Sequence, residues 1–154
     1  MLHDPALLKV IFDKGFQYSF DSLTSDLLES SLWKRKQSEI MKGLRLAKRG
    51  ASLIIALADI CSAWTLDKIC QSLSRFADIA ISITLNFVLR QASFNKDILL
   101  HNEEDPQLEC GIFILGLGKL GAYELNYSSD IDLFILFDNK LFNYIGHENS
   151  QQAL

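Results

Sequence analysis

The hydrophobic pattern of the chain changes once, and this change constrains the fold more than any other feature. From residue 1 to about 95, apolar residues recur at helical spacing, and the only proline is Pro5. From Cys110 to Phe137, short apolar runs alternate with glycine-rich and acidic segments, as is typical of buried strands. The acidic, proline-containing stretch 96–109 separates the two patterns. We therefore predict an α+β fold, with a helical region at 1–95, a linker at 96–109 and a second domain at 110–154.

The helical region contains several start and stop signals. Asp4-Pro5 has the N-cap and first-turn residues of a first short helix, and Gly15 lies near its end. Asp21-Ser22 has the residue types of an N-cap and predicts the start of a second helix. Gly43 and Gly50 each lower helix stability by roughly 1 kcal/mol relative to alanine, which favours a bend or a break near them.

A longer helix is predicted after a turn at Trp64-Thr65. Thr65 can cap this helix, and the helical pattern continues to about Ser93. One face of the helix is predicted to be buried, because its apolar residues recur at three- and four-residue spacing. The residues of this face are Leu66, Ile69, Cys70, Leu73, Phe76, Ala77 and Ala80.

Charge, apolar stretches and cysteines limit the cellular setting. The formal net charge of -4 argues against a dedicated nucleic-acid binder, which usually has a basic excess. The longest strongly apolar stretch, 51–58, is far shorter than the roughly 20 residues of a membrane span. The three cysteines have no C-x-x-C spacing and are interpreted as buried, reduced thiols. We therefore expect a cytoplasmic protein that binds neither nucleic acid nor a membrane.

Positive charge is concentrated between residues 34 and 49. Seven lysines and arginines lie there with one acidic residue, Glu39, so this window has a charge of +6 and the rest of the chain sums to -10. The pattern favours a solvated helix face. The alternative is a surface that attracts an anionic partner such as a phosphate.

The segment from Cys110 to Phe137 alternates between strand-like and turn-like sequence. Cys110–Leu115 is a short, continuous apolar run and predicts a buried strand. A glycine-rich turn follows, and Leu120–Tyr127 is predicted to form a short helix. Ile131–Phe137 is a second apolar run, interrupted by Asp132, and predicts a second strand. The predicted order is therefore strand, glycine turn, short helix and acidic strand.

The glycine turn, Gly116-Leu-Gly-Lys-Leu-Gly121, matches the dinucleotide-binding pattern G-x-G-x-x-G. That function requires a parallel crossover with a longer helix than the residues before Ser128 allow. A P-loop is excluded, because Leu120 stands where serine or threonine would follow the Gly-Lys pair. The glycines alone therefore give only weak support for dinucleotide binding.

Asp130 and Asp132 are the residues most directly linked to chemistry. In a strand, residues i and i+2 project from the same face, so the two carboxylates are predicted to lie close together. Two like charges are unfavourable alone, but Mg²⁺ or Mn²⁺ binds oxygen ligands of this kind. A D-x-D pair by itself is common on exposed strands, and it is the glycine turn upstream that makes a metal site the favoured interpretation.

The turn at Gly118-Lys119 is predicted to face the two acids. Its backbone N–H groups and the start of the following helix favour a phosphate. A divalent cation on one side and an anion-binding turn on the other is the arrangement that displacement at phosphorus requires.

This combination resembles the nucleotidyltransferase superfamily that includes DNA polymerase β. Within it, residues 116–133 are similar to the pattern G-x-G-K-L-G-x-x-E-L-N-x-x-S-D-x-D-L of the amino-terminal unit of the glutamine synthetase adenylyltransferase family. The specific similarity covers about 110–138. Three helical segments are similar to the sequence that usually precedes this motif in the family, namely Leu44–Arg49, Ile55–Ile60 and Leu73–Asp78.

The resemblance implies a cytoplasmic, Mg²⁺- or Mn²⁺-dependent, multifunctional transferase of nitrogen metabolism. Its carboxy-terminal half transfers AMP from ATP to a tyrosine of glutamine synthetase, and its amino-terminal half removes that AMP by phosphorolysis and releases ADP. This chain corresponds to the start of the removing half. The implied catalytic residues and metal ligands are Asp130 and Asp132, and Gly118, Lys119 and Ser129 are implied to line the phosphate side. The implied partners are glutamine synthetase and a PII-type regulatory protein.

The resemblance also implies a third carboxylate on a later strand, which this sequence does not contain. Asp138 has the strand parity of Asp132 but lies about 20 Å along the strand at roughly 3.3 Å per residue, too far to replace it. We therefore expect a fragment with an incomplete nucleotidyltransferase domain at 110–154 that is inactive alone. Two alternatives remain: a nucleotidyltransferase with another acceptor, and a non-catalytic helical interaction module.

Overall fold

A computed structural model describes residues 5–30 and 32–146 of the chain. Its helices are α1 (Pro5–Glu29), α2 (Gln37–Ile60) and α3 (Leu66–Phe94), with a short 3₁₀ helix at Leu32–Lys34. Its strands are β1 (Ile112–Gly116) and β2 (Leu133–Phe137), and α4 (Gly118–Gly121) lies between them. The predicted α+β fold class is confirmed. Asp4 and the last eight residues of the predicted domain at 110–154 lie outside the described residues.

Helix α1 differs from the two helices predicted for this segment. Gly15 has a non-helical backbone conformation, with φ 83° and ψ 170°, and kinks the helix, but helical structure resumes directly after it. The predicted N-cap at Asp21-Ser22 is therefore wrong, because both residues lie inside α1. Asp21 instead accepts a hydrogen bond from Arg75 of α3 at 2.9 Å. A contact between helices thus uses the side chain that the sequence suggested as a cap.

Helix α2 is continuous, although its two glycines favoured a bend or a break. Gly50 is buried where α2 packs against α1, and a Cβ atom on it would lie 2.6 Å from Cδ1 of Leu23. The glycine therefore permits a close approach of the two helices, and this packing offsets its low helix propensity. The basic side chains of 34–49 are exposed except Lys34, which is half-buried and pairs with Glu104. A solvated face and a surface that attracts an anionic partner both require this exposure, so it does not distinguish the two interpretations.

Helix α3 begins as predicted, because the Thr65 hydroxyl accepts a hydrogen bond from the backbone N–H of Lys68 at 3.3 Å. It ends at Phe94, one residue beyond the predicted end. By length and composition, α3 could cross a membrane. The central helix of a packed helical region passes the same test, and α3 packs against both α1 and α2. In the turn before α3, Cys61 is exposed, so the prediction of a buried thiol is wrong there.

Two groups of buried side chains hold the three long helices together. In the first group, the Trp64 ring makes edge contacts with Phe16 and Phe20, at centroid distances of 6.5 and 6.1 Å. The buried members of this first group are Ile11, Phe20, Ala51, Ile54, Ile55 and Ile69. The second group consists of Leu27, Trp33, Ile40, Ile79 and Ile83. The helical region therefore has its own core, independent of the sheet.

The two strands pair antiparallel, from Ile112 opposite Phe137 to Gly116 opposite Leu133. Dinucleotide binding of the G-x-G-x-x-G type needs two parallel strands joined by a helix, so this topology excludes it. Strand β1 begins later than predicted because Glu109 and Gly111 have positive φ values of 53° and 73°, which a strand does not accommodate.

The helix predicted over Leu120–Tyr127 is wrong in extent, because α4 has only four residues. The chain leaves the helical conformation at Tyr123, whose φ is 59°. Strand β2 begins at Leu133 rather than Ile131, because its partner β1 leaves the sheet at the glycine turn. Asp130 and Asp132 therefore precede β2 instead of lying within it.

Candidate functional site

The glycine turn between β1 and α4 depends on its glycines for two different reasons. Gly118 has a φ of 55°, a left-handed conformation that glycine adopts without strain. A Cβ atom on Gly121 would lie 2.3 Å from the carbonyl oxygen of Gly116, so only glycine permits this close approach. The first backbone N–H groups of α4 have no acceptor within the helix. Together with the exposed Lys119, these amides form a surface that can attract an anion.

The predicted contribution of a helix dipole to this turn is small. Helix α4 is a single turn of four residues, and the dipole effect grows with aligned peptide units. The backbone amides of the turn and the Lys119 ammonium group are therefore the features that remain for phosphate binding.

Asp132 lies directly beside the glycine turn. The backbone N–H of Leu117 donates a hydrogen bond to the carbonyl oxygen of Asp132 at 2.9 Å. The antiparallel register thus continues one pair beyond the strands, with Asp132 opposite Leu117 and one residue from Gly118. Asp130 is exposed and lies two residues before Asp132 along the chain. The structure therefore places the backbone of Asp132 beside the glycine turn that contains Gly118 and Lys119, although not within a strand.

Ser129 is engaged in a turn of its own. Its hydroxyl donates to Oδ1 of Asn126 at 2.6 Å and accepts from the Asn126 backbone N–H at 3.3 Å. The Ser129 backbone N–H also bonds to the Asn126 carbonyl oxygen at 3.2 Å. Ser129 thereby fixes the direction of the chain immediately before Asp130.

The chemistry of the donor set determines what kind of metal site is compatible with this segment. Within residues 5–30 and 32–146, no group of three or more His, Cys, Asp or Glu side chains is arranged to hold a metal ion. Asp138 lies at the other end of the sheet, where its N–H bonds to the Gly111 carbonyl oxygen at 2.7 Å. Mg²⁺ commonly uses one or two carboxylates together with water and substrate phosphates. In number and chemistry, Asp130 and Asp132 are therefore compatible with a cation whose other ligands are water and phosphate oxygens.

Two tyrosines attach the segment before the acids to the helices. The Tyr127 hydroxyl donates to Oδ2 of Asp59 on α2 at 3.2 Å, and the Tyr123 hydroxyl donates to Oδ2 of Asp78 on α3. Partial burial and the bond to Asp59 raise the pKa of Tyr127 to about 12. The bond to Asp78, with partial burial, raises the pKa of Tyr123.

A third contact lies between these two tyrosines. The backbone N–H of the buried residue Leu125 donates to Oγ of Ser74 on α3 at 3.3 Å. The residue pattern of the helices predicts no role for Asp59, Ser74 or Asp78. A signal was present, because the family-like segments Ile55–Ile60 and Leu73–Asp78 contain all three helix partners.

An apolar cavity of about 680 Å³ lies between α2, α3 and one side of the sheet, and Ser129 and Asp130 border it. The cavity explains why the predicted buried face of α3 is only half-buried at Leu73 and Phe76. The first predicted residue of that face, Leu66, is 75% exposed because it lies at the start of the helix. The other α3 residues of the predicted face that line the cavity are Ala77 and Ala80.

Comparison with known proteins assigns the chain to a family. The family model for glutamate-ammonia ligase adenylyltransferase matches residues 1–153. The chain belongs to this family. The motif at 116–133 lies within the matched region.

Three relatives illustrate the similarity, and each is named bifunctional glutamine synthetase adenylyltransferase/adenylyl-removing enzyme. The protein of Bartonella henselae is 46% identical over 102 residues, which are 66% of this chain and 10% of the relative. The protein of Mesorhizobium japonicum is 35% identical over 135 residues, 87% of this chain and 14% of the relative. That of Rhodopseudomonas palustris (strain BisB5) is 37% identical over 139 residues, 88% of this chain and 14% of the relative.

The chain therefore spans only 10% to 14% of the length of these relatives. No solved structure matches the chain.

Proposed function

We propose that this chain forms the metal- and phosphate-binding part of a nucleotidyltransferase domain that removes AMP from an adenylyl-tyrosine of glutamine synthetase. The hydrogen bond from Leu117 to Asp132 carries the proposal, because it holds the backbone of an acid beside a glycine turn whose amides can attract an anion. The substrate comes from the names of the relatives, which include an adenylyl-removing enzyme that acts on glutamine synthetase. A PII-type regulatory protein as a further partner and a cytoplasmic location belong to the same proposal.

Each site residue has a role in this proposal. Asp130 and Asp132 would hold Mg²⁺ or Mn²⁺, which when bound neutralises negative charge on a phosphate group under attack. Lys119 and the amides after Gly118 attract and orient inorganic phosphate through their positive charge and N–H groups. Ser129 stabilises the turn that leads into Asp130 through its bonds to Asn126, and so supports the acid rather than contacting the phosphate.

The proposed reaction is a phosphorolysis. An oxygen of inorganic phosphate forms a bond to the phosphorus of the adenylyl group, and the bond between that phosphorus and the tyrosine oxygen breaks. The tyrosine oxygen takes up a proton, and the products are ADP and unmodified tyrosine. The chain's part is to orient the attacking phosphate at the glycine turn, beside the two acids. We expect no turnover by the 154-residue chain alone, because the described residues supply two of the three acids that the resemblance implies.

Titration of the purified chain with Mn²⁺, followed by electron paramagnetic resonance, tests the site. We expect binding that ADP strengthens, and a loss of affinity of roughly tenfold or more in Asp130→Asn and in Asp132→Asn, because a charged ligand is removed. Asp138→Asn is the matched control, since it neutralises an exposed acid at the other end of β2. Equal affinities in all four proteins, or no binding by the unmodified chain, would reject the metal site.

A non-catalytic interaction module is the second candidate, and it is favoured by the lack of a three-ligand cluster within the described part of the chain. It predicts that adenylylated glutamine synthetase binds equally well to the unmodified chain and to Asp130→Asn, with or without Mn²⁺. Surface plasmon resonance with adenylylated glutamine synthetase distinguishes the interaction module from the metal- and phosphate-binding site. Binding of Mn²⁺ and ADP without binding of glutamine synthetase would instead indicate a nucleotidyltransferase with another acceptor.

A further inference from the structure

We infer that Asp59 and Asp78 are positioning residues, which fix the segment 122–130 on the helices through Tyr127 and Tyr123 and so set where the site acids lie. The inference rests on the proposed function for the role of the acids. The anchoring itself rests on contacts between the described residues alone.

The anchoring contacts come from two helices and alternate along the segment. Every second residue from 123 to 127 makes one hydrogen bond to a helix: Tyr123 to Asp78, Leu125 to Ser74 and Tyr127 to Asp59. Ser74 and Asp78 lie four residues apart on α3 and therefore on the same face of it. Asp59 approaches from the end of α2. The segment is thus held from two directions, which restricts both its translation and its rotation.

The segment needs such anchoring because it has little structure of its own. It contains no helix or strand after Gly121 and before Leu133. Tyr123 has a φ of 59°, a left-handed conformation that is strained for a non-glycine residue. Residues in this conformation persist when the surrounding contacts hold them there. The bond to Asp78, made by the same residue, is such a contact.

Asp130 lies between two fixed points. Tyr127, three residues before it, is bonded to Asp59, and Asp132, two residues after it, is bonded to Leu117. So short a stretch between two anchors leaves the backbone of Asp130 few alternative paths. Loss of the Tyr127 anchor would free one end while the other stays attached to the sheet.

The chemistry of the anchors suits positioning better than bulk stabilisation. Tyr123 and Tyr127 are about half-exposed, so their rings bury little apolar area. A hydroxyl that donates to a carboxylate makes a directional bond, stronger than one between neutral groups at the same distance. Each bond therefore fixes the direction of the chain while contributing little to the overall stability of the fold.

The test combines Mn²⁺ affinity with hydrogen exchange of the backbone amides of 122–132 in the full chain. Tyr127→Phe removes one hydroxyl, Asp59→Ala removes its acceptor, and Asp59→Asn keeps an acceptor oxygen. We expect the first two to weaken Mn²⁺ binding roughly 3- to 10-fold and to accelerate exchange at Leu125 and beyond. We expect Asp59→Asn to restore most of the affinity. Tyr18→Phe, at an exposed tyrosine on α1, is the matched control.

The outcomes separate this inference from the proposed function. If the unmodified chain binds Mn²⁺ but Tyr127→Phe and Tyr123→Phe leave both affinity and exchange unchanged, the inference is overturned and the metal site stands. If the unmodified chain binds no Mn²⁺, the metal site is rejected, and faster exchange in the two tyrosine variants alone decides the anchoring. Circular dichroism confirms that each variant keeps its helices, and Tyr123→Phe replaces any Tyr127 variant that does not fold.

Discussion

At the scale of single residues, the glycine pattern of this turn is shared by two unrelated kinds of site, those of dinucleotide-binding proteins and those of nucleotidyltransferases. The pattern predicted a turn that lets a phosphate approach, but it could not say which glycine serves which purpose. The structure separates them: Gly118 supplies a left-handed conformation, and Gly121 permits contact with the Gly116 carbonyl oxygen. The sequence predicted that Asp132 lies near the turn, but not that it lies opposite Leu117, because the register depends on where both strands stop.

Gly121→Ala is expected to destabilise the protein by about 1–3 kcal/mol, the usual cost of overpacking. The added methyl group would lie 2.3 Å from the Gly116 carbonyl oxygen, and backbone atoms cannot move away as a flexible side chain can. At an exposed helical glycine without such a contact, replacement by alanine instead raises the free energy of unfolding by roughly 0.5–1 kcal/mol. Urea denaturation should therefore show a lower free energy of unfolding for Gly121→Ala, not the increase expected at an exposed helical glycine. Gly118→Asn is the control, since asparagine tolerates the left-handed conformation and open space surrounds the site.

Tyr127 is expected to make stability fall as the pH rises from about 10 to about 12. Its pKa is raised to about 12 in the folded protein, by partial burial and by its bond to Asp59, whereas an unfolded tyrosine ionises near 10. The folded state therefore retains the proton more strongly, so its stabilising effect is complete below pH 10 and lost above pH 12. Chemical denaturation across this range should show a shallower decline in Tyr127→Phe. Parallel curves for the two proteins would contradict the assignment.

At the scale of elements, the sequence predicted those helices whose ends depend on local signals. Thr65 begins α3 as predicted, because a cap needs only its own side chain and the next turn. Predictions failed where distant residues decide the conformation. Asp21 bonds to α3 rather than capping a helix, Gly50 is tolerated because α1 packs against it, and Tyr123 ends α4 where helical propensity alone would continue it.

Thr65→Ala is expected to lower the free energy of unfolding by about 1 kcal/mol, within the usual range for loss of an N-cap. The substitution removes the oxygen that accepts from the Lys68 N–H, and leaves that donor at the start of α3 to water. Thr65→Ser retains the hydroxyl and should be nearly neutral. Thermal or urea unfolding followed by circular dichroism measures both variants. Equal losses in the two would indicate that the methyl group, not the cap, matters.

At the scale of the whole molecule, the hydrophobic pattern predicted the division between helices and strands but not how the two parts meet. The helices share a core that is complete in itself, whereas an apolar cavity lies between them and the sheet. Nor could the pattern reveal the direction of pairing, because short apolar runs occur in parallel and antiparallel strands alike. The antiparallel register is what links β1, the glycine turn and Asp132 into one site.

The outer face of the sheet predicts that the purified chain associates with itself as its concentration rises. Phe113 lies opposite Leu136 and Leu115 opposite Phe134, and these side chains are 52%, 42%, 49% and 54% exposed in that order. Within the described residues, no third strand covers either edge, and exposed apolar strands with open edges favour pairing between chains.

Light scattering coupled to size-exclusion chromatography should show a mass that increases with concentration, because association removes this apolar face from water. Phe134→Lys combined with Leu136→Lys should shift the chain toward the monomer, since two charges on the face oppose its burial. Leu66→Lys is the matched control, because Leu66 is an exposed apolar residue on α3, outside the sheet. A single monomeric mass at every concentration, before any substitution, would contradict this prediction.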